Sequence, residues 1–181
     1  MAPRYPYREV MAAVRRDARQ KLVLRIPRLS SISQIDADAL KAWREQWQPA
    51  LEGSRGEPGW DEWSAWDWDR EMQKSSLGPR RFDMAIWSGD QLCGLALGRT
   101  SPNRQNFSVY VMQGSLVADH PLKRHIIPIV IDVGVRYGTA LGCRELRFLK
   151  PLEGMIPIYG RFQFALERTS QHVRYCKRPL R

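Results

Sequence analysis

The order of strand and helix signals in the second half of the chain constrains the fold more than any other feature. Two apolar segments, residues 82–87 and 91–97, flank Ser88-Gly89-Asp90. A Gly-Asp pair between apolar runs predicts a tight β-hairpin. After a polar turn, residues 107–117 again have strand character, so three consecutive strands are expected to pair antiparallel.

A basic loop, His120-Pro-Leu-Lys-Arg-His125, follows these strands and leads into an apolar segment over residues 126–141. That segment is too long for a strand and is apolar on all sides, which predicts a helix packed on the sheet, ending before Gly142. Pro128 is tolerated only in the first turn, which places the helix start near residues 123–125. The N-terminus of a helix suits a phosphate group, and the loop adds cations.

The first half of the chain is less regular. Residues 7–20 have amphipathic helical spacing, and residues 22–26 alternate loosely before a proline, which predicts a short strand. Asp36 is a plausible N-cap of a further helix, with Ile35 and Leu40 at the spacing of a hydrophobic staple.

Residues 53–80 form an insert of distinct composition. A Gly/Pro-rich loop over residues 53–59 precedes an acidic segment that contains Trp60, Trp63, Trp66 and Trp68. Tryptophan at this density is able to stack bases or grip a partner, but packing of a small helix onto the sheet is the favoured reading. A lid, a homodimer contact and plain core all stay open for this insert.

The charge of the chain is unevenly distributed. The net charge is +10, with basic residues concentrated in the first 28 residues and in the tail, around a net acidic stretch over residues 36–74. The basic ends predict that one face of the protein binds nucleic acid or another polyanion, with Arg15, Arg16 and Arg19 as candidate contacts. Solvated surface arginines are an equally good interpretation.

The lengths of apolar runs and the spacing of the cysteines bear on the compartment and on metal binding. No apolar run approaches the roughly 20 residues of a membrane span, and no apolar secretion signal opens the chain. The protein is therefore expected in the cytoplasm. The three cysteines have no zinc-type spacing with the histidines, so buried reduced thiols are expected and no metal site.

Taken together, the order of elements over residues 82–164 resembles the GNAT superfamily of N-acetyltransferases. The resemblance implies a single α+β domain over residues 1–181, with a mixed, mostly antiparallel sheet flanked by helices on both faces. Residues 1–20 would be a basic helical extension to that core. It also implies acetyl-CoA, or another acyl-CoA, as co-substrate.

The resemblance assigns two cofactor-binding segments. The family binds the pyrophosphate of the cofactor at the loop before its third helix, which corresponds here to Lys123, Arg124, His125 and Ile126. The family motif in that loop is glycine-rich, whereas this loop contains no glycine. Gly114 lies where the family has a strand bulge, and the backbone of Ser115, Leu116 and Val117 would then pair with the pantetheine arm.

The resemblance also implies a catalytic acid. The family's C-terminal motif, Tyr-x-x-x-Gly-Phe, corresponds to residues 159–164, with Gln163 in place of the glycine. Tyr159 would protonate the departing thiolate, a task that suits a phenol. Asp83, Asp132 and Glu153 are candidates for a general base, and none has a spacing that selects it.

Two functions remain open at this point. The first is an acyl-CoA-dependent N-acyltransferase, most simply an acetyltransferase, that acts on a primary amine. Small basic members of the superfamily that acetylate aminoacyl-tRNA are similar in size and charge, which suggests an anionic acceptor. The second is a catalytically inactive module with the same fold that binds nucleic acid or an acidic protein, an alternative favoured by the loop without glycine.

Overall fold

One mixed β-sheet organises the part of the protein that the computed structural model describes, residues 5–53, 66–75 and 78–180. Its seven strands lie in the order β1-β2-β3-β4-β5-β7-β6. The strands are β1 Ser31–Ser33, β2 Arg81–Ser88, β3 Gln91–Thr100, β4 Asn106–Gly114, β5 Glu145–Leu149, β6 Ala165–Arg168 and β7 Arg174–Pro179. All neighbours are antiparallel except β4 and β5, which are parallel.

Helices cover both faces of this sheet. The helices are α1 Tyr7–Leu22, α2 Ala37–Ala42, α3 Gln48–Gly53, α4 Trp68–Ser75, α5 Ile126–Ala140 and α6 Ile156–Arg161, with a π-helical turn at Trp43–Trp47 between α2 and α3 and a 3-10 turn at Glu153–Met155. Buried residues of α1, α5 and α6 form one apolar core with the sheet, and those of α2, the π-helical turn and α4 form a second core on the opposite face. The predicted α+β class, with helices on both faces and an additional N-terminal helix, is confirmed.

Local sequence signals place several of these elements correctly. Gly89 has a φ of +57° in the turn between β2 and β3, and Gly142 has a φ of +71° just after α5; both values favour glycine. The Asp36 carboxylate accepts a hydrogen bond from the Ala39 N–H at 3.0 Å, as expected for an N-cap. Helix α5 begins after His125, where Pro128 required it to begin.

The strand predicted over residues 22–26 is wrong. Leu22 is the last residue of α1, and a turn follows. Leu22 and Ile26 are buried, while Leu24, which a strand would place on the same face, is 82% exposed. The apolar residues therefore follow the helical spacing of four and continue the buried stripe of α1. The first strand of the sheet lies later, at Ser31–Ser33.

Candidate functional site

An opening between β4 and β5 is the main cleft-forming feature of the sheet. The parallel pairing runs from Asn106 opposite Glu145 to Val109 opposite Phe148 and stops there. Strand β4 continues to Gly114. Within the described residues, the β5-facing edge of β4 beyond Val109 has no partner strand. An unpaired edge presents backbone N–H and C=O groups to any ligand that lies between the two strands.

A β-bulge at Tyr110 lies where this opening begins. Leu97 pairs with Val111 and Gly98 with Val109, so Tyr110 is the extra residue on β4. The expectation that the bulge lies near Gly114 is therefore wrong by four residues. The bulge brings the strands so close that a Cβ at Gly98 would lie 2.5 Å from the Ser108 carbonyl oxygen. Gly98 on β3 was thus the sequence signal for the bulge, not Gly114.

The start of α5 lies directly above the end of β4. A Cβ at Gly94 would lie 2.9 Å from side-chain carbons of Ile126, and one at Gly114 would lie 3.6 Å from the same side chain. The two glycines therefore allow the first turn of α5 to approach the sheet. Because Pro128 has no N–H, the donors of this first turn are those of Ile126 and Ile127. The N-terminus of α5 therefore lies over the end of β4, next to the open edge of that strand.

The loop before α5 has a backbone that glycine would adopt more easily. Arg124 has a φ of +70°, in the left-handed region that costs an ordinary residue about 1–2 kcal/mol. The side chains of Lys123, Arg124 and His125 are exposed. The Lys123 ammonium donates a hydrogen bond to the Ala118 carbonyl at 2.7 Å, which fixes one cation across the loop. At Arg124 the loop therefore adopts a backbone conformation that glycine favours, and the Lys123 and Arg124 side chains place positive charge around it.

His120 lies in the same loop and was missed as a site residue. It is 6% exposed, and its Nδ1 is buried without a hydrogen-bond partner in the described part of the chain. Burial lowers the pKa of this imidazole, and the Lys123 ammonium lowers it further. The side chain is therefore neutral at neutral pH and able to donate one hydrogen bond. Only packing could have revealed this, since a lone histidine in a loop is an ordinary surface residue.

In the segment predicted to pair with the cofactor, residues 115–117, two backbone N–H groups already donate hydrogen bonds within the protein. The Ser115 N–H donates to the Cys93 carbonyl at 2.8 Å, which extends the pairing of β3 with β4. The Val117 N–H donates to the Ser115 hydroxyl at 3.2 Å. Leu116 lies between them, half-buried. These three residues follow directly on the open edge of β4. The unpaired edge from Tyr110 to Gly114 is therefore continuous with the segment predicted to pair with the cofactor and lengthens it.

Tyr159 lies on the other side of the opening, on α6. Its ring stacks on Phe148 of β5, with a centroid separation of 4.5 Å and an interplanar angle of 11°. Tyr159 is 5% exposed, and burial raises the pKa of its phenol well above the ordinary value, with a smaller contribution from Cys176. The phenol therefore stays protonated at neutral pH, which is the state that an acid requires.

The three acids considered as general bases are all engaged in ion pairs. Asp83 is buried and binds Arg15 at 3.0 Å. Asp132 pairs with Arg136 at 2.6 Å within α5. Glu153 is exposed and pairs with Arg174. These partners give each of the three carboxylates a structural role.

Two further features, a metal-binding cluster and a membrane-spanning helix, are absent from the described residues. Residues 5–53, 66–75 and 78–180 contain no group of three or more His, Cys, Asp or Glu side chains arranged to hold a metal ion. Across the same residues, no helix is both long and apolar enough to cross a membrane. All three cysteines are buried and free.

Comparisons with solved structures identify the fold. The chain is similar to the aminoglycoside 6′-N-acetyltransferase from Enterococcus faecium, with 10% identity, a TM-score of 0.54, and 84% of this chain and 98% of that chain covered. It is similar to an acetyltransferase from Thermus thermophilus, with 14% identity, a TM-score of 0.55, and coverage of 83% and 96%. It is also similar to the PaiA N-acetyltransferase from Thermoplasma acidophilum in complex with coenzyme A, with 10% identity, a TM-score of 0.52, and coverage of 82% and 98%.

These likenesses concern structure alone, because no family model and no curated protein sequence matches the chain. At identities of 10–14% they establish the fold and not the reaction. The resemblance inferred from the order of elements is confirmed at that level. The chain has the fold of the GNAT N-acetyltransferases, with α1 added before it.

Proposed function

We propose that this protein is an acyl-CoA-dependent N-acyltransferase, most simply an acetyltransferase, that acts on a primary amine. The observation that carries the proposal is the opening between β4 and β5, which begins at the Tyr110 bulge and ends under the first turn of α5. An open strand edge can pair with the amide groups of a pantetheine arm. A helix N-terminus at its end can bind a pyrophosphate.

The residues of the loop fit coenzyme A without the family's glycines. Lys123 and Arg124 supply exposed positive charge, His125 adds an exposed imidazole, and the N–H groups of Ile126 and Ile127 supply directed donors. The orphaned Nδ1 of His120 is a further polar group in the same loop. Ser115, Leu116 and Val117 continue the open edge toward this loop. The set favours a diphosphate held by side-chain cations in addition to backbone groups.

Tyr159 would complete the reaction as the acid. The acceptor nitrogen attacks the thioester carbonyl, the C–N bond forms, and the C–S bond breaks. Tyr159 gives its proton to the departing thiolate and is restored by the proton that the acceptor nitrogen loses as it becomes an amide. The raised pKa of the phenol keeps that proton in place at neutral pH until the thiolate forms.

The acceptor in this proposal is a primary amine on an anionic molecule, such as aminoacyl-tRNA or a substrate associated with nucleic acid. Support comes from the outer face of α1, where Arg8, Arg16 and Arg19 are exposed. Arg15 does not belong to this surface, because its side chain is only 12% exposed and is paired with Asp83. A module that binds polyanions without catalysis is the second candidate, and it rests on the same exposed arginines.

Acetyl-CoA is expected to bind the protein with micromolar affinity in isothermal titration at near-physiological salt, whereas ADP should bind much more weakly. The expectation follows from the additional pairing of the pantetheine arm with the open edge of β4. Equal affinity for ADP and acetyl-CoA would mean that only phosphate attraction operates. No detectable binding of acetyl-CoA by the folded protein would refute the proposal and leave the binding module.

The same titration on two variants of one residue separates charge from backbone conformation. Arg124→Ala and Arg124→Gly both remove a cation and should weaken acetyl-CoA binding by about 10- to 150-fold, since a charge-assisted contact is worth about 1.5–3 kcal/mol. Arg124→Gly should also raise the free energy of unfolding relative to Arg124→Ala by about 1 kcal/mol, because glycine adopts φ of +70° without strain. Unchanged affinity in both variants would remove Arg124 from the cofactor site.

Binding of bulk tRNA is expected to depend on the exposed arginines of α1. Replacing Arg8, Arg16 and Arg19 by glutamine should reduce the slope of log affinity against log salt by about 2–3, because each lost phosphate contact removes about 0.7–0.9. The matched control replaces three exposed arginines outside α1, Arg99, Arg144 and Arg161. An equal fall in slope for both triple variants would indicate general charge attraction and not a surface on α1.

A further inference from the structure

Glu71 is a nearly buried carboxylate on α4 that the proposed reaction has not yet used. The residue is 8% exposed, although charged side chains are seldom buried without a reason. The Lys74 ammonium donates to its Oε1 at 2.7 Å, and this lysine is itself 55% exposed. Trp68 and Met72, which neighbour Glu71 on the helix, pack in the core on this face of the sheet.

The contacts of the helices on this face show which strand each one covers. The Trp47 indole N–H, in the π-helical turn, donates to the Leu92 carbonyl of β3 at 2.9 Å. The Trp68 indole N–H, on α4, donates to the Gln113 side chain of β4 at 2.7 Å. The π-helical turn therefore lies over β3, and α4 lies over β4, next to the strand opening.

The positions around α4 then place Glu71 on the side of the opening. Asp69 makes two hydrogen bonds with the Arg44 guanidinium, at 2.7 and 2.8 Å, so its flank of α4 faces the π-helical turn. At 3.6 residues per turn, Glu71 is about 160° around the helix from Asp69. Since Asp69 faces the turn over β3, Glu71 lies on the opposite flank of α4, which faces away from β3 and toward the side of β4 that has the open edge.

The bulge brings aromatic surface to the same place. In a regular strand Tyr110 and Val111 would point to opposite faces. Because Tyr110 is the extra residue of the bulge, both pack with the core on the α4 face. A carboxylate on the same face of the sheet as an aromatic ring and an open strand edge is suited to a cationic ligand, through ion pairing and through cation–π contact.

We infer that Glu71 is the general base of the acceptor site and receives a primary amine in its ammonium form. This inference rests on the proposed acyl transfer. The Glu71 carboxylate takes one proton from the ammonium, and the freed nitrogen lone pair attacks the thioester carbonyl. As the C–S bond breaks, Tyr159 gives its proton to the thiolate. The second proton lost by nitrogen restores Tyr159, and Glu71 releases its proton to water.

The test compares Glu71→Gln with a matched variant on the same helix, Asp69→Asn. With acetyl-CoA and ethylamine, which is an ammonium at neutral pH, Glu71→Gln should lower kcat/KM about 100-fold, the ordinary contribution of a general base. With 2,2,2-trifluoroethylamine, which is already neutral at that pH, the loss should shrink to a few-fold. Asp69→Asn should change both rates less than threefold. An equal loss with both amines would overturn the assignment, because a merely structural role does not depend on amine basicity.

A binding measurement separates failure of this inference from failure of the proposed function. In the protein loaded with coenzyme A, n-hexylammonium should bind at least tenfold more tightly than n-hexanol, and Glu71→Gln should remove that difference. Normal binding of coenzyme A with no preference for the ammonium would refute the role of Glu71 alone. Failure to bind coenzyme A would refute the proposed function and this inference with it.

Discussion

Replacing Tyr159 by phenylalanine is expected to lower kcat/KM for acetyl transfer about 100-fold and to leave the affinity for acetyl-CoA unchanged. General acid catalysis typically contributes at least this factor, and the change removes only the proton donor. The ring that stacks on Phe148 at 4.5 Å is retained. The Tyr159 hydroxyl has no hydrogen-bond partner within the residues that the structure describes, so its removal leaves no buried group unpaired. The free energy of unfolding should therefore change by less than about 0.5 kcal/mol.

The measurement combines steady-state kinetics on an accepted primary amine with isothermal titration of acetyl-CoA. A parallel loss of kcat and of kcat/KM would identify an interaction made only in the transition state. Tyr137→Phe is the matched control, since Tyr137 is a fully buried phenol on α5 beside Thr100. It should leave turnover unchanged.

Two results would contradict the assignment of Tyr159. Wild-type turnover in Tyr159→Phe would show that the phenol donates no proton, and the stacked ring would then have a purely structural role. A loss of acetyl-CoA affinity equal to the loss of kcat/KM would show that the hydroxyl contributes to ground-state binding instead. Either result would leave the cofactor opening intact and move the search for the acid to another side chain.

The parts of the fold that the sequence predicted well are those encoded by neighbouring residues. The hairpin follows from Gly89, whose positive φ suits a tight turn, and the start of α5 follows from Pro128, which cannot stand later in a helix. Such signals act within a few residues. They determine element type and position before any tertiary contact forms, and with them the order of strands that revealed the fold.

Features that depend on contacts between distant residues could not be predicted in the same way. The strand over residues 22–26 fails because two of its apolar residues are buried by α1 packing, not by a sheet. The bulge at Tyr110 depends on the close approach of Gly98 to Ser108, across two strands. A glycine in a strand indicates some close contact, but not which of two glycines marks the bulge.

The residues of the candidate site also fall into two groups: those that the sequence makes visible and those found only through tertiary contacts. Lys123 and Arg124 are visible in the sequence as a basic loop, and the structure places them at the start of α5. His120 and Glu71 became candidates only through burial, at 6% and 8% exposure. Burial of a charged or titratable side chain is a tertiary property, so a single sequence cannot distinguish either residue from a solvated one.

Replacing Arg15 by methionine is expected to destabilise the protein by about 3 kcal/mol, the lower end of the usual effect of removing one partner of a buried ion pair, because the Arg81 guanidinium remains 3.7 Å from the Asp83 carboxylate. One Nη atom of Arg15 donates to Asp83 twice, to the backbone carbonyl at 2.6 Å and to the carboxylate at 3.0 Å. The two side chains are only 12% and 8% exposed. Methionine keeps most of the packing volume, so the loss should report the charge and not a cavity.

The measurement is urea unfolding, with Arg16→Met as the matched control. Arg16 is the next residue on α1 and is exposed, so its replacement should cost less than about 0.5 kcal/mol. If the slope of the free energy of unfolding against urea concentration is the same in both variants, the comparison concerns stability and not the compactness of the unfolded chain.

The double variant Arg15→Met with Asp83→Asn decides how α1 is joined to the sheet. The Ile35 N–H donates to the Asp83 carboxylate at 2.9 Å. The asparagine side chain would still offer that N–H an acceptor, while the carboxylate charge that Arg15 no longer balances disappears. Replacement of both partners of a buried pair is often nearly neutral, so the double variant should regain at least half of the lost stability.

Recovery in the double variant would mean that α1 is fixed by a charge pair that the sheet requires, and that this helix is an integral part of the fold. The opposite result is that Arg15→Met costs no more than Arg16→Met. In that case apolar contacts of Met11, Val14 and Ala18 alone would hold the helix, and Arg81, whose guanidinium lies 3.7 Å from the Asp83 carboxylate, would be a sufficient partner for it.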